Sequence, residues 1–108
     1  MIVRLKAQDN DYPDLSIDHP YFVIGIESDD YRIINDYGKP YLYPSDLFTV
    51  VDATEPPDWV TEYGDEGERY SYPPKLNDVG FFEDYFDGKS KAISDFWHEV
   101  NQRLSHAA

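Results

Sequence analysis

The feature that most constrains the fold is a series of short runs of β-forming residues, each ended within a few positions by Asp, Gly or Pro. The clearest run, at residues 21–26, reads YFVIGI and is followed by the turn formers Asp29 and Asp30. Runs of roughly four to eight such residues between turn formers are typical of strands. The pattern predicts strands at residues 2–6, 21–26, 31–35, 41–43 and 47–51.

A β-hairpin is predicted downstream of these strands. Its two arms, residues 59–63 and 68–72, are rich in aromatic and β-branched side chains and flank Gly64-Asp-Glu-Gly67. Two β-rich runs joined by a few turn residues that include glycine are the usual pattern of a hairpin. A stiff connector with Pro56-Pro57 precedes it, and Pro73-Pro74 ends it.

The sequence changes to a helical period near residue 77. Aromatic residues at 81, 82, 85 and 86 fall at helical spacings, and residues 90–104 carry an apolar stripe. Ser90 suits the N-cap of this helix, and Arg103 suits its last turn. The stripe consists of Ile93, Phe96, Trp97, Val100 and Leu104. We expect it to pack on the strand residues Val23, Ile24, Ile26, Ile33 and Val50.

These elements predict one α+β domain over residues 1–108. A β-rich part at 1–76 is expected to be a small, strongly curved antiparallel sheet, an SH3-like barrel, and residues 77–108 a helical C-terminal segment. The C-terminal α-helix is expected to close one end of the barrel. A flatter sheet packed on the helix is the alternative.

The charge of the chain limits its partners. Its 22 acids and 9 bases give a formal charge of −13, and residues 1–88 alone hold 20 acids and 6 bases, a charge of −14. Such a surface repels nucleic acid and anionic lipid and attracts basic proteins. There is no apolar run of membrane-spanning length, and the first residues are too charged for a secretory leader, so we expect a cytoplasmic protein.

Catalytic and metal-binding patterns are not found. The chain lacks cysteine, has no GxSxG sequence, and its three histidines, His19, His98 and His106, do not have metal-ligand spacing. Residues 9–14 superficially resemble a calcium loop, but they lack its glycine and its final Glu. With 22 acids in the chain, paired carboxylates carry no specificity for catalysis. We expect a protein without enzymatic activity, cofactor or bound metal.

Tyrosine and tryptophan next to acids mark the candidate binding surface. About half of the 10 tyrosines are expected to be ordinary half-buried sheet residues, and many acids simply solvate the surface. The others combine aromatic anchors with carboxylates that pair with arginine, which suits a basic protein partner. The predicted partner-binding residues are Asp58, Trp59, Glu62, Tyr63, Asp65, Glu66, Glu68 and Tyr70 in the hairpin, and Glu83, Asp84, Tyr85 and Asp87 beyond it.

Several segments together resemble small acidic bacterial immunity proteins, which are partners of polymorphic or contact-dependent toxins. They are residues 21–36 (YFVIGIESDDYRIIND), 41–44 (YLYP), 58–60 (DWV) and 80–87 (GFFEDYFD). The resemblance implies a cytoplasmic inhibitor that binds one cognate toxin domain, often a nuclease, and covers its active site or another essential surface. Two other classes stay open: an SH3-like module that binds a basic peptide, and an acidic nucleic-acid mimic that blocks a DNA-binding protein.

Overall fold

A computed structural model describes the backbone of residues 1–107 and the side chains of residues 1–105. The chain divides into two compact units, Met1–Tyr72 and Pro73–Ala108, close to the change of pattern in the sequence. The first unit contains the strands and the second contains the helices. The two units are described separately below.

The strands lie where the runs of β-forming residues predict them. Each predicted strand is present, with ends that differ by at most one residue, and a 3-10 turn at Ser45–Leu47 separates the fourth strand from the fifth. The hairpin arms are also confirmed as strands. The strands are β1 (Ile2–Leu5), β2 (Tyr21–Glu27), β3 (Asp30–Ile34), β4 (Pro40–Pro44), β5 (Phe48–Asp52), β6 (Val60–Tyr63) and β7 (Arg69–Tyr72).

All strand pairs are antiparallel, and β2 is the central strand. Five strands follow the order β4-β3-β2-β1-β5. On one edge of β2, the first residues pair with β1 and the last pair with β7, which in turn pairs with β6. No pairing joins β4 to β5 within residues 1–107, so the sheet is not closed. The α+β class with a C-terminal helix is confirmed, whereas closure of the sheet into a barrel is not.

The core of the strand unit is built from the inward residues of its strands and one loop residue. Leu15, in the long loop between β1 and β2, is only 1% exposed and joins this core. The predicted inward position of Val50 is wrong, because 43% of its surface is exposed. Val50 lies on the outermost strand β5, next to a register shift opposite Ile2 and Val3. The other core members are Val3, Leu5, Tyr21, Val23, Ile26, Ile33, Tyr43 and Phe48.

The helical unit contains α1 (Phe81–Phe86) and α2 (Ser90–Ala107), after a 3-10 turn at Pro74–Leu76. The helix predicted over residues 90–104 is therefore confirmed and extends to Ala107. Phe96 on α2 is fully buried, and its ring makes edge contacts with Phe82, Tyr85 and Trp97. Leu104, expected in the apolar stripe, is 41% exposed, because the buried part of the stripe ends near Val100. Within residues 1–107 there is no helix with the length and hydrophobicity needed to span a membrane.

Candidate functional site: the β6–β7 hairpin

The hairpin has a regular two-stranded register with a tight turn. Val60 pairs with Tyr72 and Tyr63 with Arg69, and the Gly64 amide donates to the Glu68 carbonyl oxygen at 2.8 Å. Gly67 has a φ of +83°, which glycine adopts without strain. The hairpin predicted around Gly64-Asp-Glu-Gly67 is thus confirmed in position, and the structure adds its register.

The two faces of the hairpin carry different side chains. Because side chains alternate along a strand, Glu62 and its partner Tyr70 lie on one face. Tyr63 lies on the opposite face with Arg69. The predicted binding residues of the hairpin therefore do not form one surface. Tyr63 is 71% exposed and is available as an anchor, whereas Tyr70 is half-buried.

Arg69, the single base of the hairpin, is already neutralised by an acid outside it. Both of its terminal nitrogens bind the Glu55 carboxylate, and its Nε donates to Ser71 Oγ at 2.7 Å. Hydrogen bonding to Arg69 is the main cause that lowers the pKa of the Glu55 carboxyl, and burial opposes it. This arrangement occupies the guanidinium, so it does not compensate the acids of the hairpin.

Three hairpin acids remain exposed without an ion pair. Glu62, Asp65 and Glu66 pair with no base among the described side chains. Glu68 differs, because its carboxylate folds back over the turn and accepts a hydrogen bond from the Glu66 amide at 3.0 Å. Its side chain occupies the space where a Cβ at Gly64 would lie. Glu68 therefore shapes the turn, and the other three acids supply the accessible negative charge.

Trp59, predicted as a binding anchor, has a mainly structural position. Its side chain is half-buried and packs against the core of the strand unit. Its amide donates to the Pro56 carbonyl oxygen, which closes the turn that also contains exposed Asp58. The aromatic anchor that the hairpin offers at its surface is thus Tyr63.

The second predicted segment lies on and just after α1, in the helical unit. Glu83 and Asp87 are exposed, and Asp84 forms an ion pair of 3.0 Å with Lys89. Tyr85 was expected at the surface but is 7% exposed, with its ring 5.1 Å from that of Phe96. A six-residue helix with aromatics at four positions must bury one pair, and Tyr85 belongs to that pair. Tyr85 is a core residue of its unit.

A buried polar cluster fastens the hairpin to the rest of the sheet. Arg32 is 6% exposed and donates to the Tyr72 hydroxyl, the Pro40 carbonyl oxygen and the Glu27 carboxylate, each at 2.7 Å. The Tyr72 hydroxyl also donates to Glu27 at 2.5 Å. Burial raises the pKa of the Tyr72 phenol, so it remains a donor. The cluster joins β2, β3 and β7, and it holds the base of the hairpin.

Gly25 provides the space for this cluster. The register places Arg32 beside Gly25 on β2, and the β2–β7 register continues to Tyr72 on the other side. A Cβ at residue 25 would overlap the Tyr72 ring and lie 2.9 Å from the Ser71 carbonyl oxygen. Glycine in a strand often marks such a close approach. The missing side chain lets Arg32 reach across β2 to the Tyr72 hydroxyl.

A second polar network fixes the long loop at residues 6–20. The Asp36 carboxylate accepts hydrogen bonds from Ser16 at 2.5 Å and from Tyr21 at 2.6 Å, and it contacts His19 at 3.1 Å. Burial raises the pKa of Asp36, but these neighbours together outweigh it and the pKa lies below its usual value. For Tyr21, burial and then the bond to Asp36 raise the pKa to about 12. Tyr21 therefore has a structural role in this network.

Sequence reasoning missed Glu55 and Thr61. Glu55 stands in the proline-rich connector and is separated from Arg69 by 14 positions, so no local pattern joins them. Thr61 bonds Ser71 across the hairpin at 2.8 Å and directly precedes Glu62, the one acid of β6. The alternation of side chains along the predicted strand is the one sequence signal that could have placed Thr61 on the same face as Tyr63.

Comparison of the chain with protein-family models, curated proteins and solved structures found no match. Within the described side chains, no three histidine or acidic residues are placed to hold a metal ion together. The geometry of the hairpin is thus the principal guide to function.

Proposed function

We propose that this chain is an immunity-type inhibitor that binds a basic surface of a bacterial toxin domain, most simply a nuclease, in the cytoplasm. One observation carries the proposal. The single base of the hairpin is bound by Glu55, which leaves Glu62, Asp65 and Glu66 as exposed acids without a counter-ion. The same hairpin exposes the ring of Tyr63, on the face opposite Glu62.

The physical support is electrostatic. The strand unit, residues 1–72, holds 16 acids and 5 bases, a formal charge of −11. Negative charge of this density steers a basic partner to the surface and competes with the phosphates that such a partner binds. Carboxylates also form bidentate pairs with arginine, and an exposed tyrosine adds contact area at low entropic cost. Inhibition by occupying a surface requires no catalytic group, cofactor or metal.

For the sheet, we propose an SH3-like arrangement with an added hairpin. Support comes from the order β4-β3-β2-β1-β5 and from the 3-10 turn between β4 and β5. The register shift between Val23 and Gly25 also divides β2 into two parts, of which the first pairs with β1 and the second with β7. In this arrangement β6 and β7 extend the sheet and present the acidic hairpin.

Co-expression with the toxin domain encoded beside its gene tests the function. The chain is expected to restore growth of cells that make the toxin and to form a complex with it. The double variant Asp65→Lys/Glu66→Lys is expected to lose protection, because it reverses two of the unpaired charges. Failure of the wild-type chain to bind or neutralise that toxin contradicts the proposal.

Two matched controls separate site from overall charge. Asp11→Lys/Asp18→Lys makes the same charge change at exposed positions of the loop between β1 and β2, and it is expected to retain protection. Tyr37→Ala removes a tyrosine that is 70% exposed, as a control for Tyr63→Ala at 71%. If the hairpin variants and the controls lose protection to the same extent, the hairpin is not the specific binding site and the acidic surface acts elsewhere.

A further inference from the structure

The outer edge of β6 has backbone groups that its own sheet does not use. In an antiparallel pair, residues alternate between hydrogen-bonded and non-hydrogen-bonded positions. Gly64 bonds Glu68, so the hydrogen-bonded positions of β6 continue at Glu62 and Val60. Thr61 and Tyr63 occupy the other positions, and their N–H and C=O groups point away from β7.

The register on the other side of β7 agrees with this assignment. The Ser28 amide donates to the Arg69 carbonyl oxygen at 2.7 Å, so Arg69 and Ser71 bond towards β2. Tyr70 and Tyr72 therefore bond towards β6. The sheet path ends at β6, and all four of its residues are exposed.

β4 and β5 carry prolines or a bulge that hinder a further strand, whereas β6 is protected only by its short length and by Glu62. Proteins usually protect an edge with proline, lysine or a bulge. β4 has proline at both ends, Pro40 and Pro44. β5 carries a register shift where Asp52 and Val50 pair with Ile2 and Val3. The sequence of β6, VTEY, contains no proline or lysine, and its pairing with β7 runs without a shift.

The charge around this edge favours one kind of strand. Glu62 lies on one face of β6 and the Tyr63 ring on the other, while Asp65 and Glu66 are exposed in the following turn. A partner strand alternates its own side chains over both faces, so a lysine or arginine meets Glu62 on one face or the Tyr63 ring on the other. Arg69 does not repel such a strand, because Glu55 neutralises it.

We propose that the partner binds by adding an extended basic segment as a new strand at the outer edge of β6. Main-chain hydrogen bonds to Thr61 and Tyr63 provide part of the affinity, and the hairpin acids select for basic side chains. The inference rests on the proposed inhibitor function and specifies how the partner is held.

Thr61 allows a sharp test with a matched pair of variants. Thr61→Pro removes an outward N–H without removing a hydrogen bond to β7, since proline is tolerated where the N–H faces solvent. Thr61→Val is the control, because it keeps the N–H. Both variants lose the hydroxyl bond to Ser71, so that loss cancels in the comparison.

The probe is a short synthetic peptide of alternating lysine and valine, titrated into the full chain at physiological salt. Wild type and Thr61→Val are expected to bind alike, and Thr61→Pro about tenfold more weakly, the equivalent of one lost backbone hydrogen bond. In the wild type, amide resonances of Thr61 and Tyr63 are expected to shift and to exchange more slowly when the peptide is bound. This second measurement remains decisive if Thr61→Pro fails to fold.

Equal binding to all three proteins, unshifted Thr61 and Tyr63 amides, or no binding of the peptide overturns strand addition. The neutralisation assay separates this outcome from failure of the function itself. If the wild type neutralises the toxin and Thr61→Pro is equally potent at the same concentrations, only strand addition is wrong. If wild type does not neutralise it, the inhibitor proposal is wrong.

Discussion

The Tyr72 ring lies directly against the backbone of Gly25, in the space that any other residue would fill with its Cβ. Above this contact, the Tyr72 hydroxyl accepts a hydrogen bond from Arg32 and donates to Glu27. These two hydrogen bonds hold the hydroxyl end of the ring, and the backbone of Gly25 on β2 lies against the ring itself. The contact links the hairpin to the central strand and makes its position depend on one glycine.

Gly25→Ala is therefore expected to destabilise the protein by about 1 to 3 kcal/mol, the usual cost of overpacking. The added methyl group meets a ring that two hydrogen bonds hold in place and a carbonyl oxygen that belongs to β7. Urea unfolding, followed by tyrosine and tryptophan fluorescence, measures the free energy of unfolding.

A double-mutant cycle checks the cause. In a Tyr72→Ala background the ring is absent, so Gly25→Ala is expected to cost less than it does in the wild type. If the cost is the same in both backgrounds, the ring contact is not the source of the destabilisation.

Glu27→Gln is expected to reduce the free energy of unfolding by about 2 kcal/mol or more, because it leaves the buried charge of Arg32 without its carboxylate. Glu55→Gln at the more exposed Arg69 pair serves as the matched comparison, with an expected loss below about 1 kcal/mol. Thermal and urea unfolding of the two variants measure both values. A larger loss for Glu55→Gln than for Glu27→Gln contradicts the assigned importance of the buried cluster.

The Asp36 network predicts part of the acid sensitivity. Because the folded-state pKa of Asp36 is lowered, its contribution to stability is present above the ordinary pKa of an aspartate, about 3.9. The contribution is lost as the pH falls from there through the folded-state value. Asp36→Asn is expected to be less stable at neutral pH and to lose less further stability between about pH 5 and pH 3.

Urea midpoints across that pH range measure the effect. Asp18→Asn, in the exposed part of the same loop, removes one carboxylate without touching Ser16 or Tyr21 and is the control. An Asp36→Asn profile that runs parallel to the wild-type profile contradicts the role given to this network.

The aromatic centre of the helical unit predicts an order of importance on α2. Phe96→Ala is expected to cost about 3 to 5 kcal/mol, because Phe96 is fully buried among Phe82, Tyr85 and Trp97. Trp97→Ala is expected to cost less, since Trp97 is only partly buried. Melting temperatures measured by circular dichroism compare the two. A larger fall for Trp97→Ala reverses the order.

Local patterns in the sequence predicted the strands, the hairpin and the C-terminal helix, because a proline, glycine or aspartate lies within a few residues of the end of each strand. The contacts between elements were not predictable in this way. The Arg32–Tyr72 and Tyr72–Glu27 bonds join residues 40 and 45 positions apart, and nothing near either end of these pairs indicates the other. Whether a sheet closes into a barrel also depends on pairing between strands that are distant in sequence, so it could not be predicted from local patterns.

The candidate site, like the fold, could be predicted from the sequence only in part. Composition predicted an acidic surface with tyrosine anchors, and Glu62, Tyr63, Asp65 and Glu66 are exposed as expected. Burial of Tyr85 was missed, because helical spacing of four aromatics does not say which face is covered. The direction of the backbone groups of β6 could be assigned only from the register between β6 and β7, and the sequence of one strand does not determine that register.

The association rate with the proposed toxin partner tests the central claim most directly. Surface plasmon resonance at increasing salt is expected to show association slowing steeply while dissociation changes little. At low salt, Asp65→Lys/Glu66→Lys is expected to associate about tenfold more slowly than wild type and than Asp11→Lys/Asp18→Lys. Absence of binding by the wild type, or an association rate that neither salt nor the hairpin reversals change, contradicts the account.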